Sequence, residues 1–332
     1  MTDSDTGPQD RLTGFLLHPA AALHDTGWAH PEHQGRMRAL SSAVSKDMLA
    51  LPDRIAQMEA RSATEEDLRR VHTQELVDRV LTLSDRAMEE ERSIPLDSDT
   101  LVSGASWDAA VGSSGAVLTA VDGLAAGNIK NAFVATRPPG HHATPGRAMG
   151  FCLFNHVAVG ARYALERGLA SRVLIVDWDV HHGNGTQDAF YESGDVYYLS
   201  LHQSPHFPGT GHADETGKGE GEGATLNVPL PPGTSREEYG DRFRTALQEA
   251  VGGFNPDFIF VSSGFDVLAG DPLGGQLLEP EDLHAFTSEI VGLAEERAGS
   301  RVVVVLEGGY VPDRVGAGTV AVVRALVGLG MP

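Results

Sequence analysis

Cysteine occurs once in this chain of 332 residues, at Cys152. One thiol closes no internal disulfide and builds no cysteine-ligated metal site, and it suits a reducing compartment such as the cytoplasm. Basic residues are few beside acidic ones: 25 Lys and Arg against 46 Asp and Glu, a formal net charge of -21. No Lys/Arg block stands out, so the basic footprint of a nucleic-acid binder is missing. The acidic surplus reads first as a soluble or salt-adapted surface, and second as long-range attraction for basic substrates. Apolar runs fall far short of the ~20 residues that span a bilayer. The opening MTDSDTGPQD is acidic and polar, unlike a secretory signal. There is no long low-complexity block, no internal repeat and no HExxH helix motif.

What is present is an alternation. After residues 1–13, expected to be a flexible segment, GFLLH (14–18) reads as a strand. Residues 34–51 and 64–88 have helical spacing, with Thr64 as an N-cap. Residues 105–124 read as a buried helix. Strands are then expected at 132–136, 173–177, 196–201, 258–263 and 302–306. Helices are expected at 154–168, 186–191, 237–251, 281–297 and 314–329. Strands that are apolar on both faces, alternating with helices, predict an α/β fold with a parallel sheet covered on both sides. No linker divides the chain, so 14–332 reads as a single domain.

In such a sheet the loops after the C-terminal strand ends share one edge, where ligands bind. Here those loops carry His141 and His142, then Asp177, Asp179 and His181, then Asp266, then Glu307 and Tyr310. Charged groups at the end of a buried strand are costly unless paired or bound to a cation. In VDWDVHHGNG (176–185), Asp177, Asp179 and His181 are spaced by two, so extended backbone turns them to one side. Asp179 and His181 can grip one cation, with Asp266 as a third ligand. Two oxygens and one nitrogen with an open fourth position suit catalytic zinc, or Fe(II) or Co(II) in its place. An Asp at a strand end is often only a helix N-cap, but that reading needs several coincidences on one rim. His202, His206 and His212 read as rim-loop histidines rather than ligands. GKGEGEG (217–223) lacks the Lys-Ser ending of a phosphate loop and reads as a turn.

RPPGHHATPGRAMGFCLFN, VDWDVHHGNGTQDAFY, SLHQSPHFPGTG, SSGFDVLAGDPLG and LEGGY, with HDTGWAHPEHQGRMRAL near the start, resemble the histone deacetylase superfamily, and most closely its bacterial class II-like members. The resemblance spans about residues 14–330 and implies the arginase–deacetylase fold. It implies Asp179, His181 and Asp266 as zinc ligands and Tyr310 as the catalytic tyrosine. It implies His142 as general base beside His141, with Asp177 orienting His141 and Asn184 orienting His142. A structural potassium ion is implied at Asp177, Asp179, His181, Ser200 and Leu201. Gly150, Phe151 and Phe207 match the substrate tunnel, Leu273 its rim, and Arg36 an arginine lining the acetate exit; a surface salt bridge is the other reading of Arg36.

The expected activity is zinc-dependent removal of acetyl or short acyl groups from N-acetyl-lysine or related acylated amines. The nearest rival is an acetylpolyamine amidohydrolase. Such relatives place a glutamate where this chain has Leu273, which tilts the expectation toward acyl-lysine. A urea hydrolase of the related arginase fold and a binding protein without turnover are weaker rivals, because His141, His142 and Tyr310 are all present. No nucleic-acid or membrane partner is expected, and a homo-oligomer is left open.

Overall fold

The computed structural model describes residues 12–48, 51 and 53–331. Most of the expected N-terminal segment, residues 1–11, lies outside the described residues; its last two members, Leu12 and Thr13, open a strand.

The first half of the chain contains β1 (Leu12–Leu16), α1 (Gly35–Met48), β2 (Ile55–Met58), α2 (Glu65–Leu68), α3 (Gln74–Glu89), β3 (Ile94–Pro95), β4 (Leu101–Val102), α4 (Ser106–Ala125) and β5 (Ile129–Val134). The second half contains α5 (His156–Glu166), β6 (Val173–Asp177), α6 (Asn184–Phe190), β7 (Val196–Gln203), β8 (Thr225–Leu230), α7 (Arg236–Phe254), β9 (Phe258–Ser263), α8 (Pro280–Arg297), β10 (Val302–Leu306) and α9 (Pro312–Val327). Eight strands form one sheet in the order β2-β1-β5-β10-β9-β6-β7-β8. Every pairing in it is parallel.

The apolar runs explain this arrangement. In β10 all five residues are fully buried. Val302, Val304 and Leu306 enter one core, and Val303 and Val305 enter the other. The same alternation holds in β9, with Ile259 and Val261 against Phe258 and Phe260. A strand with period-two side chains and helices on both faces has no polar side to show. Each such side chain stabilises the fold by about 1.5–3 kcal/mol relative to exposure. One core packs the sheet on helices that include α1, α7, α8 and α9, the other on α4 and α5.

Several boundaries differ from expectation, for local reasons. The expected helix 64–88 is two helices. Thr64 and Asp67 form a capping box on α2, and Thr73 then caps α3, its hydroxyl accepting the Leu76 amide. A second cap inside one apolar pattern restarts the helix. β5 begins earlier than Ala132: Asn131, polar in sequence, is buried with its side-chain amide donating to the Leu326 carbonyl at 2.9 Å, while its Oδ1 has no partner. β1 ends at Leu16, and His18 instead accepts the Ala20 amide at the start of a short 3-10 turn. β2 and β8 were not expected. They are the two edge strands, and β8 carries Pro229, which argues against a strand anywhere but an edge.

Candidate metal centre and adjoining pocket

Five neighbouring strands deliver the site: β5, β10, β9, β6 and β7 lie side by side. The segments after their C-terminal ends carry, in turn, His141 and His142, Glu307 and Tyr310, Asp266 and Asp271, Asp179 and His181, and His206 and Phe207. Residues more than 160 positions apart in sequence thus meet because their strands are adjacent and parallel.

Asp179, His181 and Asp266 are buried, and each offers a ligand atom within 4.8 Å of the others; among the described residues this is the one such group. His181 Nδ1 lies 3.0 Å from Asp179 Oδ1 and 3.4 Å from Asp266 Oδ2. Val180, between the two β6-end ligands, turns its side chain into the core and donates its amide to Asp266 Oδ1 at 3.0 Å. The Gly308 amide donates to Asp179 Oδ2 at 2.9 Å. Glycine is needed on both sides of this nest. A Cβ on Gly264 would stand 2.1 Å from Asp179 Oδ2, and one on Gly308 2.0 Å from Asp266 Oδ2.

Asp266 Oδ2 is buried and has no hydrogen-bond partner. Two carboxylates packed around one imidazole, with one oxygen bare, form an arrangement that burial strongly disfavours. A divalent cation taking two oxygens and one nitrogen removes both problems, so the residues present fit a metal of the zinc type.

The tandem histidines differ in their partners. His141 Nδ1 lies 3.0 Å from Asp177 Oδ2, which also accepts the Tyr198 hydroxyl at 3.0 Å. His142 Nδ1 lies 2.8 Å from Asn184 Oδ1. The Asn184 amide group faces the His142 carbonyl at 3.4 Å, which turns the oxygen toward the ring. Nδ1–H of His142 is therefore the donor, and Nε2 carries the lone pair. The electrostatics separate the pair further. Burial alone would lower the His141 pKa, but Asp179 and Asp177 push it up to about 10. Burial, with the charges of His141 and His181, holds His142 well below the usual histidine value.

Glu307 fixes the loop that bears both rings. Its Oε2 accepts the Gly140 and His141 amides at 2.6 and 3.1 Å, and its Oε1 accepts the Ser262 hydroxyl at 3.1 Å. Burial, reinforced by Asp177, raises its pKa to about 7.

A cavity of about 470 Å³ opens over these groups; His142, His181, Gly150, Phe151, Phe207, Leu273 and Tyr310 are among its walls. The Phe207 ring meets His142 edge-on at 5.1 Å, and the Phe151 ring meets Tyr310 edge-on at 5.7 Å. Gly150 and Phe151 have φ of +57° and +68°. A Cβ on Gly150 would lie 2.6 Å from the His142 ring. Phe151 is held in this uncommon conformation by its backbone amide, which donates to Thr100 Oγ1 at 3.1 Å, and by the His30 ring at 4.7 Å.

Arg36 is not a surface salt bridge: it is fully buried. It donates to the Gly309 carbonyl at 2.5 Å, to the Glu307 carbonyl, and to Glu32 at 2.9 Å, and stands 5.2 Å from the Tyr310 ring centre. Asp177 and Ser200 are cross-strand partners. Ser200 Oγ lies 2.9 Å from His202 Nδ1, and the Leu201 carbonyl accepts the Tyr239 hydroxyl at 3.4 Å. His206 lines the cavity and stacks on His181 at 4.8 Å. Sequence reasoning missed Thr100, His30 and Asp271, which hold Phe151, Tyr310 and Leu273 in place. Asp271 in GDPLG is an aspartate in a loop after a strand, the signal used for Asp266; Thr100 and His30 carry no signal in sequence.

The family described as histone deacetylase domain matches residues 30–326. The chain is 38% identical over 317 residues to a histone deacetylase-like amidohydrolase of Pseudomonas aeruginosa, covering 95% of this chain and 80% of that protein. It is 38% identical over 336 residues to histone deacetylase clr3 of Schizosaccharomyces pombe, covering 96% of this chain and 48% of the larger protein. Its fold superposes on the crystal structure of the HDA15 HD domain with a TM-score of 0.90 at 37% identity, covering 96% of this chain and 89% of that one.

Proposed function

The chain belongs to the histone deacetylase family, and from that premise we propose that it is a zinc-dependent hydrolase that removes acetyl or short acyl groups from N-acyl-lysine or a related acylated amine. The observation that carries the reading is that His181 of the Asp179–His181–Asp266 group, His142 of the His141–His142 pair and Tyr310 line one cavity with mainly apolar walls.

The roles follow from the contacts. Asp179, His181 and Asp266 would hold the zinc ion, for which Fe(II) or Co(II) could substitute. When bound, the ion polarises the acyl carbonyl and acidifies a water. His142, neutral and with Nε2 free, takes a proton as that water attacks the carbonyl carbon. The C–N bond then breaks as His142 returns the same proton to the leaving nitrogen, giving the free amine and acetic acid, whose remaining proton is lost to leave acetate. Protonated His141, held by Asp177, adds fixed positive charge beside the reacting centre. Tyr310 donates its hydroxyl to the carbonyl oxygen as charge develops there; burial and Asp266 hold its pKa well above that of free tyrosine, so it keeps its proton. Gly150, Phe151 and Phe207 enclose the methylenes of the side chain, and Arg36 lines the acetate exit. Asp177, Asp179, His181, Ser200 and Leu201 would hold a potassium ion, which would stiffen the strand ends.

Residues 14–332, with the two residues that open β1, are taken as the catalytic domain of a cytoplasmic enzyme that binds neither nucleic acid nor membrane. Among the described residues no helix is long and apolar enough to cross a bilayer. Leu273 on the cavity wall is apolar and offers no partner to a second ammonium. That favours acyl-lysine over an acetylpolyamine, the second reading.

The test is turnover of an acetyl-lysine peptide and of N-acetylputrescine by purified protein, with metal content measured before and after chelation. Chelator-sensitive peptide turnover, restored by zinc or cobalt, is expected. Preference for N-acetylputrescine would replace the substrate class, and a metal-loaded protein silent on both would remove the reading.

A further inference from the structure

We propose that Asp271 is a positioning residue, one carboxylate that tethers both the backbone of Tyr310 and the backbone of Leu273. It thereby locks the tyrosine and the part of the cavity wall around Leu273 into one unit. The inference rests on the function proposed above for its effect on turnover, but not for the tether itself.

The two oxygens of Asp271 are divided between two loops. Oδ2 accepts the Tyr310 amide at 2.7 Å, and Oδ1 accepts the Leu273 amide at 2.9 Å. Tyr310 follows β10 and Leu273 follows β9, so the carboxylate bridges the C-terminal ends of adjacent strands. Asp271 is itself buried. Both hydrogen bonds are charge-assisted and shielded from water, which makes them stronger than hydrogen bonds between neutral amide groups.

The segments on either side are rigid enough to use such a tether. The Ala269 amide donates to the Leu278 carbonyl at 2.8 Å, and the Gly275 amide to Gln203 Oε1 at 2.8 Å. On the other side, Arg36 clamps the Glu307 and Gly309 carbonyls. Gly309, whose carbonyl Arg36 holds, sits at φ +114°, a conformation that glycine adopts without strain. The Asp271 bond fixes the next residue, Tyr310, directly after that glycine. An aspartate is required because each oxygen receives an N–H. Asparagine has one acceptor, and its NH₂ would face a second donor.

The experiment compares wild type with Asp271→Asn, which keeps the side-chain volume. Amide hydrogen exchange of the segments containing Tyr310 and Leu273 is read by mass spectrometry, alongside metal content. In the variant, one of the two amides should exchange about 10-fold faster or more, since one bond to a charged acceptor is lost. Unchanged exchange at both would overturn the tether, whatever the enzyme turns over. On acetyl-lysine peptide, kcat should fall about 10-fold with metal content intact, as displacement of a catalytic group predicts. In a Tyr310→Phe background the same substitution should change kcat by less than about 2-fold, because the hydroxyl being positioned is gone. Full multiplication of the two losses would show that Asp271 does not act through Tyr310. Wild type silent on all acyl amines would sink the proposed function, and the exchange measurement would still decide the tether.

Discussion

Replacing Asn184 by aspartate isolates the electrostatics of His142, the proposed general base. Asn184 Oδ1 lies 2.8 Å from His142 Nδ1, so the substitution puts a negative charge against a ring that now has a neutral partner. A unit charge about 4 Å from another, at an effective dielectric near 20, is worth about 4 kcal/mol. Part of that is lost to burying the new carboxylate, which leaves an upward shift of roughly 1–3 pKa units. The sign follows directly. His142 must be neutral to accept a proton, and its pKa now lies well below 6.5, so wild type is base-competent throughout the neutral range. In Asn184→Asp the acid limb of kcat/KM should move up by roughly 1–3 pH units, with activity recovering at alkaline pH. The second carboxylate oxygen would face the His142 carbonyl and Met149 Sδ, which the amide now contacts at 3.4 and 3.5 Å. That should cost about 1–2 kcal/mol of stability, read as a lower Tm. The assay is a pH–rate profile on acetyl-lysine peptide at constant metal occupancy. An unmoved limb, or one that moves down, would refute the assignment of His142 as the base.

Three further outcomes are expected. Tyr310→Phe should lower kcat about 10²–10³-fold while metal content and KM stay near wild type, since only the hydroxyl is removed; unchanged kcat would take Tyr310 out of the mechanism. Asp266→Ala should abolish tight metal binding by elemental analysis, because Asp179 and His181 alone leave the coordination incomplete; full occupancy would remove it from the ligand set. Burial lowers His24, His72 and His156 to about 4 from an ordinary value of 6.5. Between those values the unfolded chain takes up protons that the fold refuses, so their contribution is whole above pH 6.5 and drains as pH falls toward 4. At about 3 kcal/mol each, the three together rival the net stability of a domain. Urea midpoints should therefore fall steeply over that window, and a flat profile would contradict the burial argument.

The sheet was legible in sequence because its strands are apolar on both faces, which no other arrangement in water tolerates at this length. Only interior strands carry that pattern. The edges β2 and β8 are half-polar, and β8 contains Pro229, so hydrophobic periodicity passes over them. The candidate metal ligands were legible because Asp179, His181 and Asp266 stand where buried strands end, and charge there demands a counter-charge. Their convergence was not legible from spacing alone. It depends on β10 and β9 lying between β5 and β6, an order that the chain does not follow and that only packing decides. The same limit hid the supporting groups. Thr100 and His30 belong to the first third of the chain and reach Phe151 across the fold, while Asp271 meets Tyr310 across two strand ends. Residue chemistry, which is local, is written in the sequence; the pairing of donors with acceptors and the direction of each pKa shift depend on burial and neighbours, which exist only once the strands have packed.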